Sequence, residues 1–319
     1  MLTYVVRRVV QAIPIVLGIS ILIFLIVQLA PGDPTDRFRT PRVRPETIAN
    51  LIRLYGLDRP LPEQYFSWIT AFFQVWRVEC WGYSLKTGEP VRDMIFGRLP
   101  NTALLMGTAE IVTILFAIPI GIVAAVKQYS LLDKVISVFA TIGYAIPSFI
   151  LGIYVMYFGG VILGWFPLFG MQSLGKSGEP LDIAWHLVLP VTSLAIQSIA
   201  GWARYVRTSM LETMHQDYVR TARAKGLAGS RVIGKHALRN ALLPVVTLLG
   251  LALPSLVAGA VITESIFSYP GIGSLTINSV TANDFPVIYA VGMLVGIFVI
   301  LGNLLADVLY GLVDPRIKY

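Results

Sequence analysis

The chain of 319 residues is 55% hydrophobic and 13% charged, and it carries a formal net charge of +7 at pH 7. Soluble domains have about 25% charged residues, and disordered chains combine low hydrophobicity with high charge, so both classes are excluded. Because Cys80 is the only cysteine, a disulfide scaffold is excluded as well, and an integral membrane protein remains.

The first predicted element is a membrane-spanning helix near the start of the chain. Residues 9–32 contain no Asp, Glu, Lys or Arg, and about 20 apolar residues cross the hydrocarbon core as a helix. Arg7 and Arg8 resemble the charged start of a signal peptide. The apolar run is longer than the roughly 7–15 residues of such a peptide, and Ala30-Pro31 is a poor cleavage site. We therefore expect this helix to remain as an anchor.

Residues 31–100 mix charged residues with proline, glycine and aromatic residues. Residues 46–55 predict a short amphipathic helix that ends at Gly56, since glycine is typical of the position after a helix. Residues 63–76 predict an aromatic-rich helix, and such aromatics favour the membrane–water interface. We expect an extracytoplasmic segment that lies on the outer leaflet. A docking surface for a partner is the alternative.

Five further apolar stretches predict five more spans, at residues 101–126, 135–160, 183–203, 240–263 and 285–306. The uncharged stretch 135–175 is too long for one helix. Gly159-Gly160, followed by Trp165-Phe166-Pro167, indicates a helix that ends near residue 160 and then an interfacial or re-entrant segment. The chain is therefore predicted to cross the membrane six times.

The loop between the fourth and fifth spans, residues 204–239, carries eight basic and two acidic residues. Its segment 217–226 predicts a short helix, with Asp217 as the N-cap and Gly226 in the left-handed position after the C-terminus. Helical spacing places four residues on one face, which would let another protein approach closely: Tyr218, Thr221, Ala222 and Lys225. The alternative is a solvated basic loop without a partner.

Acidic residues within or beside the spans are functional candidates, because charges are costly in a membrane. Glu110 lies inside the second span, either as a pore-facing group for a substrate amine or cation, or hydrogen-bonded to a neighbouring helix near the outer interface. Glu264 and Asp284 flank the last external loop, and Tyr269–Gly273 predicts a re-entrant turn buried among helices. The candidate residues of a translocation path or outer gate are Glu110, Glu264, Tyr269 and Asp284.

The basic residues predict the orientation of the chain. With the N-terminus inside, cytoplasmic segments hold 14 of the 25 Lys and Arg residues, whereas the short external loops 163–184 and 263–286 hold only Lys176. Short cytoplasmic loops of membrane proteins are enriched in Lys and Arg, so both termini are expected to be cytoplasmic. The positive net charge therefore indicates orientation and not nucleic-acid binding.

Two stretches of the basic loop, 217–227 (Asp-Tyr-Val-Arg-Thr-Ala-Arg-Ala-Lys-Gly-Leu) and 236–244 (His-Ala-Leu-Arg-Asn-Ala-Leu-Leu-Pro), resemble the EAA loop of ABC importer permeases. The resemblance is to the first permease type of the dipeptide/oligopeptide/nickel branch, because Arg220-Thr221-Ala222 replaces the general Glu-Ala-Ala and Arg239 replaces proline. Further motifs of that branch follow in order along the chain: Gly56–Leu61, Arg98–Thr102, Ile146–Phe149, Phe267–Gly273 and Asp314–Arg316.

The resemblance implies an all-α, polytopic membrane protein with six transmembrane helices and the type I ABC importer permease fold. Residues 1–30 would be the N-terminal span, 31–100 the extracytoplasmic segment and 101–319 the five-helix core. The family's coupling helix docks in a groove of a cytoplasmic ATPase. This role falls to Tyr218, Arg220, Thr221, Ala222 and Lys225, with Gly226 permitting the exit turn.

The implied partners are a second homologous permease subunit, two cytoplasmic ATP-binding subunits, an extracytoplasmic substrate-binding protein and membrane lipid, in a bacterial or archaeal cytoplasmic membrane. The leading substrate is a di- or oligopeptide, with nickel or oligosaccharides as alternatives. An ATP-independent secondary transporter and a membrane scaffold are more distant alternatives. Visible inverted repeats, which many secondary transporters have, are missing from this sequence.

The chain itself is not expected to be an enzyme. Residues 229–236 (Gly-Ser-Arg-Val-Ile-Gly-Lys-His) approach a phosphate-binding loop, but His236 replaces the hydroxyl residue that binds Mg²⁺ and no buried strand is predicted before it. The three histidines are scattered and Cys80 is alone, so we expect no metal site and no catalytic residue. ATP and Mg²⁺ would bind to the partner ATPases, and this chain would bind no cofactor.

Overall fold

The computed structural model describes residues 2–29, 45–54, 56, 58–74, 77–252 and 254–313. Within these ranges the chain is helical, and the sole β-type pairing is an isolated bridge between Tyr83 and Pro90. The helices are α1 (Leu2–Leu29), α2 (Pro45–Leu54), α3 (Leu61–Phe72), α4 (Val91–Val126), α5 (Leu131–Ala145), α6 (Ser148–Met156), α7 (Pro180–Met214), α8 (Asp217–Ala224), α9 (Gly229–Arg231), α10 (Leu238–Ala241), α11 (Leu243–Ala252), α12 (Ser255–Ala258), α13 (Val261–Ile266), α14 (Ile272–Thr281) and α15 (Phe285–Val313).

The described helices include five that are long and apolar enough to cross a membrane, or six if the bent pair α5 and α6 forms one span. The five are residues 6–29, 91–126, 180–214, 248–266 and 285–305. This agrees with the six predicted spans when the bent pair is counted.

Both short helices predicted within residues 31–100 are confirmed. α2 ends before Gly56, which has the predicted left-handed backbone with φ of 64°. α3 ends at Phe72, four residues earlier than expected, and Trp76 lies outside the described residues. The two prolines at the start of α3 fit there because the first turn of a helix needs no backbone N–H donors.

Aromatic side chains hold α3 against the first and last spans. The Trp68 ring lies 6.2 Å from that of Phe24 on α1 and 5.0 Å from that of Tyr289 on α15, measured between ring centroids. The hydroxyl of Tyr65 is 2.8 Å from that of Ser20 on α1. Aromatic pairs at such distances add about 0.5–1.5 kcal/mol to the burial of their surface. The predicted aromatic helix therefore packs on the spans through this face.

α4 begins at Val91, so the expected boundary at residue 100 between the extracytoplasmic segment and the core falls inside a helix. A helix of 36 residues is about 54 Å long, whereas the hydrocarbon core is about 30 Å thick. Its charged first turns, with Arg92 and Asp93, therefore extend beyond the apolar part.

The third span is broken, which corrects the expectation of one helix ending near residue 160. α5 and α6 are bent by 102° at Ile146-Pro147, and α6 continues as a π-helix over Tyr157–Ile162. Pro147 has no backbone N–H and disfavours helical geometry in the residue before it, and Ile146 is extended with ψ of 126°. The fifth span is also interrupted, next to Pro254 and at Gly259, which has φ of 72°.

The centre of the fold is the packing of α7 along α4. A Cβ atom on Gly121 would lie 2.7 Å from both the carbonyl oxygen of Ala203 and Cβ of Val206, so the two helix backbones approach too closely for a side chain. Small residues at helix contacts in membranes permit this approach. The end of α7 that follows this contact leads directly to α8.

Candidate functional sites

The short helix predicted for residues 217–226 is present as α8, two residues after the end of α7. It presents a charged and polar outer face, but Val219 and Ala222 are buried against Val232 and Leu227 of the same loop. Ala222, expected on the docking face, is only 5% exposed. The expectation fails because helical spacing identifies residues that share a face and does not identify what that face contacts.

The ends of α8 differ in how well the sequence predicts them. The N-cap is Gln216 and not Asp217, which is the first helical residue and whose carboxylate lies 3.6 Å from the guanidinium of Arg220. Asp217 still lies at the positive end of the helix dipole. Gly226 adopts the predicted left-handed conformation with φ of 74°. A Cβ atom added to this residue would have no neighbour within 4 Å, so backbone geometry and not space requires glycine.

The remaining residues assigned to docking are exposed on α8 or, for Lys225, directly after it: Tyr218, Arg220, Thr221 and Lys225. The Tyr218 hydroxyl also accepts a 2.8 Å hydrogen bond from Nδ2 of Asn240 on α10. Sequence reasoning did not assign a role to Asn240, although it belongs to the second motif stretch, 236–244. The contact joins α8 to α10, which precedes the span at residues 248–266.

The segment that approaches a phosphate-binding loop is helical. Gly229–Arg231 forms α9 and Val232–Ala237 forms a π-helix. A phosphate-binding loop follows a strand and opens a helix, and α8 precedes this segment. Its local structure therefore supports treating the match as accidental.

The re-entrant turn predicted at residues 269–273 is buried, as expected. The Tyr269 side chain is fully buried, and its hydroxyl donates a 2.9 Å hydrogen bond to the carbonyl oxygen of Asn101 on α4. The Asn101 side chain donates in return to the carbonyl oxygen of Pro270 at 2.9 Å. Burial, and then the nearby Glu264, raise the pKa of Tyr269 above its usual value, so the phenol stays protonated as a donor.

Glu264 is fully buried beside this turn and caps the start of α14. It accepts hydrogen bonds from the backbone N–H of Ser274 at 2.8 Å and from the hydroxyl of Thr102 at 3.1 Å. The N-cap residue Gly271 has no side chain, so Glu264 supplies the acceptor that a capping side chain normally provides. Thr102 also accepts from the N–H of Ile272 at 2.7 Å. Sequence reasoning missed Thr102, although it ends a family motif.

Asp284 binds a different segment of the chain. Its carboxylate accepts from the hydroxyl of Ser84 at 2.5 Å and from the N–H of Leu85 at 3.0 Å, and the side chain is almost completely buried. Asp284 therefore joins the turn at Ser84-Leu85 to the beginning of α15. The structure brings Glu264 and Tyr269 together, while Asp284 has its own set of partners.

Glu110 differs from the other acidic candidates because its Oε1 atom is buried without a hydrogen-bond partner among the described residues. The side chain is half-buried on α4. An acidic group buried without a partner is costly. The predicted alternative of a hydrogen bond to a neighbouring helix does not occur for this atom.

A cleft of about 260 Å³ lies between α5, α7 and α11. Its lining contains amide, hydroxyl and indole groups but no ionisable acid or base of the Asp, Glu, Lys or Arg type: Tyr144, Gln197, Ser198, Gly201, Trp202, Tyr205 and Leu248. Uncharged polar groups of this kind can donate and accept hydrogen bonds within an apolar span. Most of the exposed lining is apolar, so these groups are isolated donors and acceptors in an open, largely apolar cleft.

The chain matches two family descriptions that together cover most of its length. Residues 117–319 match the binding-protein-dependent transport system inner membrane component. Residues 1–106 match the N-terminal part of the binding-protein-dependent transport system membrane component. The junction between the two matches lies within α4.

Several known proteins align with the chain along its whole length. The oligopeptide transport system permease protein AppB of Bacillus subtilis is 43% identical over 320 residues, covering 100% of both chains. The di/tripeptide transport system permease protein DppB of Pseudomonas aeruginosa is 38% identical and covers 100% of this chain and 99% of that protein. The glutathione transport system permease protein GsiC of Salmonella choleraesuis is 38% identical, with 100% of both chains covered.

The fold is similar to that of a chain in an inward-facing structure of the MetNI methionine ABC transporter. The TM-score is 0.56 at 19% identity, over 71% of this chain and 99% of that chain. At this identity the likeness concerns the fold alone. It confirms the predicted all-α, polytopic architecture.

Proposed function

The chain belongs to the family of binding-protein-dependent transport system inner membrane components, and from this premise we propose that it carries di- or oligopeptides through the membrane as the permease subunit of an ABC importer. Its fold is the predicted type I ABC importer permease fold. The observation that carries the substrate proposal is the end-to-end similarity to permeases named for oligopeptides and for di- and tripeptides. Such a permease works with ATPase subunits and a substrate-binding protein.

The proposed docking site for an ATPase is the exposed face of α8. Tyr218, Arg220, Thr221 and Lys225 remain accessible there, and the small core of Val219 and Ala222 holds the helix on its own loop. The basic loop attracts an acidic ATPase surface over a range of about 8 Å at physiological salt. This placement requires cytoplasmic termini, in agreement with the distribution of Lys and Arg.

We propose that a second, homologous permease subunit completes the translocation path and that ATP-driven closure of two ATPases draws the two coupling helices together. Each α8 would displace α7, because only two residues separate these helices. The transmembrane helices would then change between inward and outward access. ATP and Mg²⁺ remain on the ATPases throughout.

The cleft between α5, α7 and α11 is the proposed part of the path in this chain. Gln197 and Ser198 offer the amide and hydroxyl groups that hydrogen-bond a peptide backbone of any sequence. Glu110 is the proposed partner for a peptide amino group, because its buried oxygen has no hydrogen-bond partner among the described residues. Glu264 and Asp284 hold the outer side of the fold in place and are not proposed as substrate ligands.

The test is purification of the chain with its membrane partners, followed by reconstitution into proteoliposomes. We expect ATPase subunits and a second permease to co-purify, and ATP-dependent uptake of a labelled dipeptide or pentapeptide when the binding protein is present. Proteoliposomes without ATP are the control. Uptake of nickel or of an oligosaccharide with no uptake of either peptide would overturn the peptide proposal. Peptide uptake without any ATPase would overturn the coupling proposal.

A further inference from the structure

A partly buried ion pair joins α5 to α7 at the start of the basic loop, residues 204–239. The guanidinium of Arg207 binds both carboxylate oxygens of Asp133, with Nε and Nη2 at 2.7 and 2.9 Å. The Asp133 side chain is 5% exposed, and it also accepts from the backbone N–H of Tyr129 at 3.0 Å. Two-point binding of this kind fixes orientation as well as distance. The start of α5 is therefore held rigidly on α7.

Two further polar contacts extend this connection along α5 to the break at Ile146-Pro147. Arg204 donates to the Thr141 hydroxyl at 3.1 Å. Gln197 donates to the carbonyl oxygen of Ile146 at 3.4 Å. A helix break leaves a backbone carbonyl without its helical N–H donor, and within an apolar span that carbonyl needs another donor. The contacts end where the third span bends by 102°.

We propose that Arg207 and Asp133 are positioning residues that transmit the movement of the coupling helix to the inner half of the third span. This rests on the proposed function of α8. α7 continues almost directly into α8, so a displacement of α8 moves Arg207, and the pair moves α5 with it. The bend at Ile146-Pro147 separates α5 from α6. The ion pair acts on α5 alone, whereas α6 contacts both α7 and α13. Tyr144 of α5 lines the cleft between α5, α7 and α11, which would change shape with this movement.

A purely structural ion pair is the competing explanation, and the ratio of ATP hydrolysed to peptide imported separates the two. Arg207→Gln removes the charge. Arg207→Lys keeps the charge but loses the two-point geometry. Asp133→Asn tests the other partner. The control is Lys127→Gln, which removes an exposed positive charge in the turn between α4 and α5.

In the reconstituted complex we expect Arg207→Gln and Asp133→Asn to raise the ATP-to-peptide ratio roughly 3- to 30-fold, since residues along a coupling route alter it by that order. Arg207→Lys should give an intermediate ratio, and Lys127→Gln the wild-type ratio. If the Arg207→Gln variant does not assemble with its partner subunits, the ATP-to-peptide ratio of Arg207→Lys tests the proposal instead.

Assembled Arg207 variants with the wild-type ratio would overturn this inference while leaving peptide transport intact. A wild-type complex that imports no peptide would instead overturn the proposed function. The two failures are therefore distinguishable.

Discussion

The predicted outer turn at residues 269–273, with the neighbouring Glu264, and the helix α8 use polar residues in opposite ways. At the outer turn Glu264 and Tyr269 are fully buried, and each binds another part of the same chain. On α8, Arg220 and Thr221 are exposed. A polar residue at the outer turn therefore stabilises the fold, whereas one on α8 remains accessible. Of the acidic residues expected along a path or gate, Glu264 and Asp284 belong to the first class.

This comparison predicts different consequences for substitutions in the two regions. Changes at the outer turn should reduce the amount of folded protein, and changes on α8 should leave the fold intact while altering transport. Three substitutions test that difference, and their expected effects decrease from Glu264→Ala through Gly226→Val to Tyr218→Phe.

The largest effect is expected for Glu264→Ala. The backbone N–H of Ser274 and the hydroxyl of Thr102 would lose their acceptor, and each buried donor left without a partner costs about 1–3 kcal/mol. We expect a marked fall in the thermal unfolding temperature, measured in detergent by fluorescence-detected size exclusion.

The matched control is Glu264→Gln, which retains one acceptor oxygen and should lose less stability. Equal unfolding temperatures for Glu264→Ala and the wild type would show that the buried carboxyl group does not hold the turn. Transport lost in Glu264→Gln at full stability would restore a role for this residue in the path.

An intermediate effect is expected for Gly226→Val on the other side of the comparison. A β-branched residue in the left-handed region costs about 1–2 kcal/mol, which corresponds to a factor of roughly 5–30 in the population with the correct exit turn. We expect ATPase stimulation by the binding protein to fall in proportion, while the unfolding temperature of the chain changes little. Gly229→Ala is the control, because Gly229 has no positive φ and no neighbour within 4 Å of an added Cβ. Unchanged stimulation in Gly226→Val would contradict the docking assignment.

The smallest effect is expected for Tyr218→Phe, which removes the hydrogen bond to Asn240. An average hydrogen bond contributes about 0.5–1.5 kcal/mol, and this exposed one should lie at the lower end. Uptake should fall less than roughly threefold. Asn240→Ala should have the same effect, and the double variant should add nothing, because both changes remove one contact. Additive losses would mean that the two residues act independently.

Sequence patterns predict the spans well because a helix that crosses lipid needs a long uncharged run, and such runs are visible at residues 9–32 and 285–306. They predict the breaks poorly. Pro147 and Gly259 lie inside apolar runs, where proline and glycine are also compatible with continuous membrane helices. Local sequence does not decide between a kink and a bend of 102°, because the decision depends on which helices satisfy the released backbone groups.

In the candidate sites, too, features set by local sequence are predicted better than contacts between distant segments. The left-handed Gly226 follows from local chemistry, and the sequence predicts it correctly. The partnership of Thr102 with Glu264 spans 162 residues and has no local signal. The burial of Ala222 depends on Val232, which lies beyond the next turn. Contacts between distant segments therefore account for most of what the sequence did not predict.

The contacts of α1 have a consequence for how the bundle is held together. Besides α3, this helix packs on α15, where a Cβ atom on Gly296 would lie 2.7 Å from Cγ2 of Ile19. The rest of its apolar surface, including exposed Leu22 and Ile26, is free to face lipid. The place of α1 in the bundle therefore depends on a contact with a span that is far away in the sequence, and not on the spans that follow it directly.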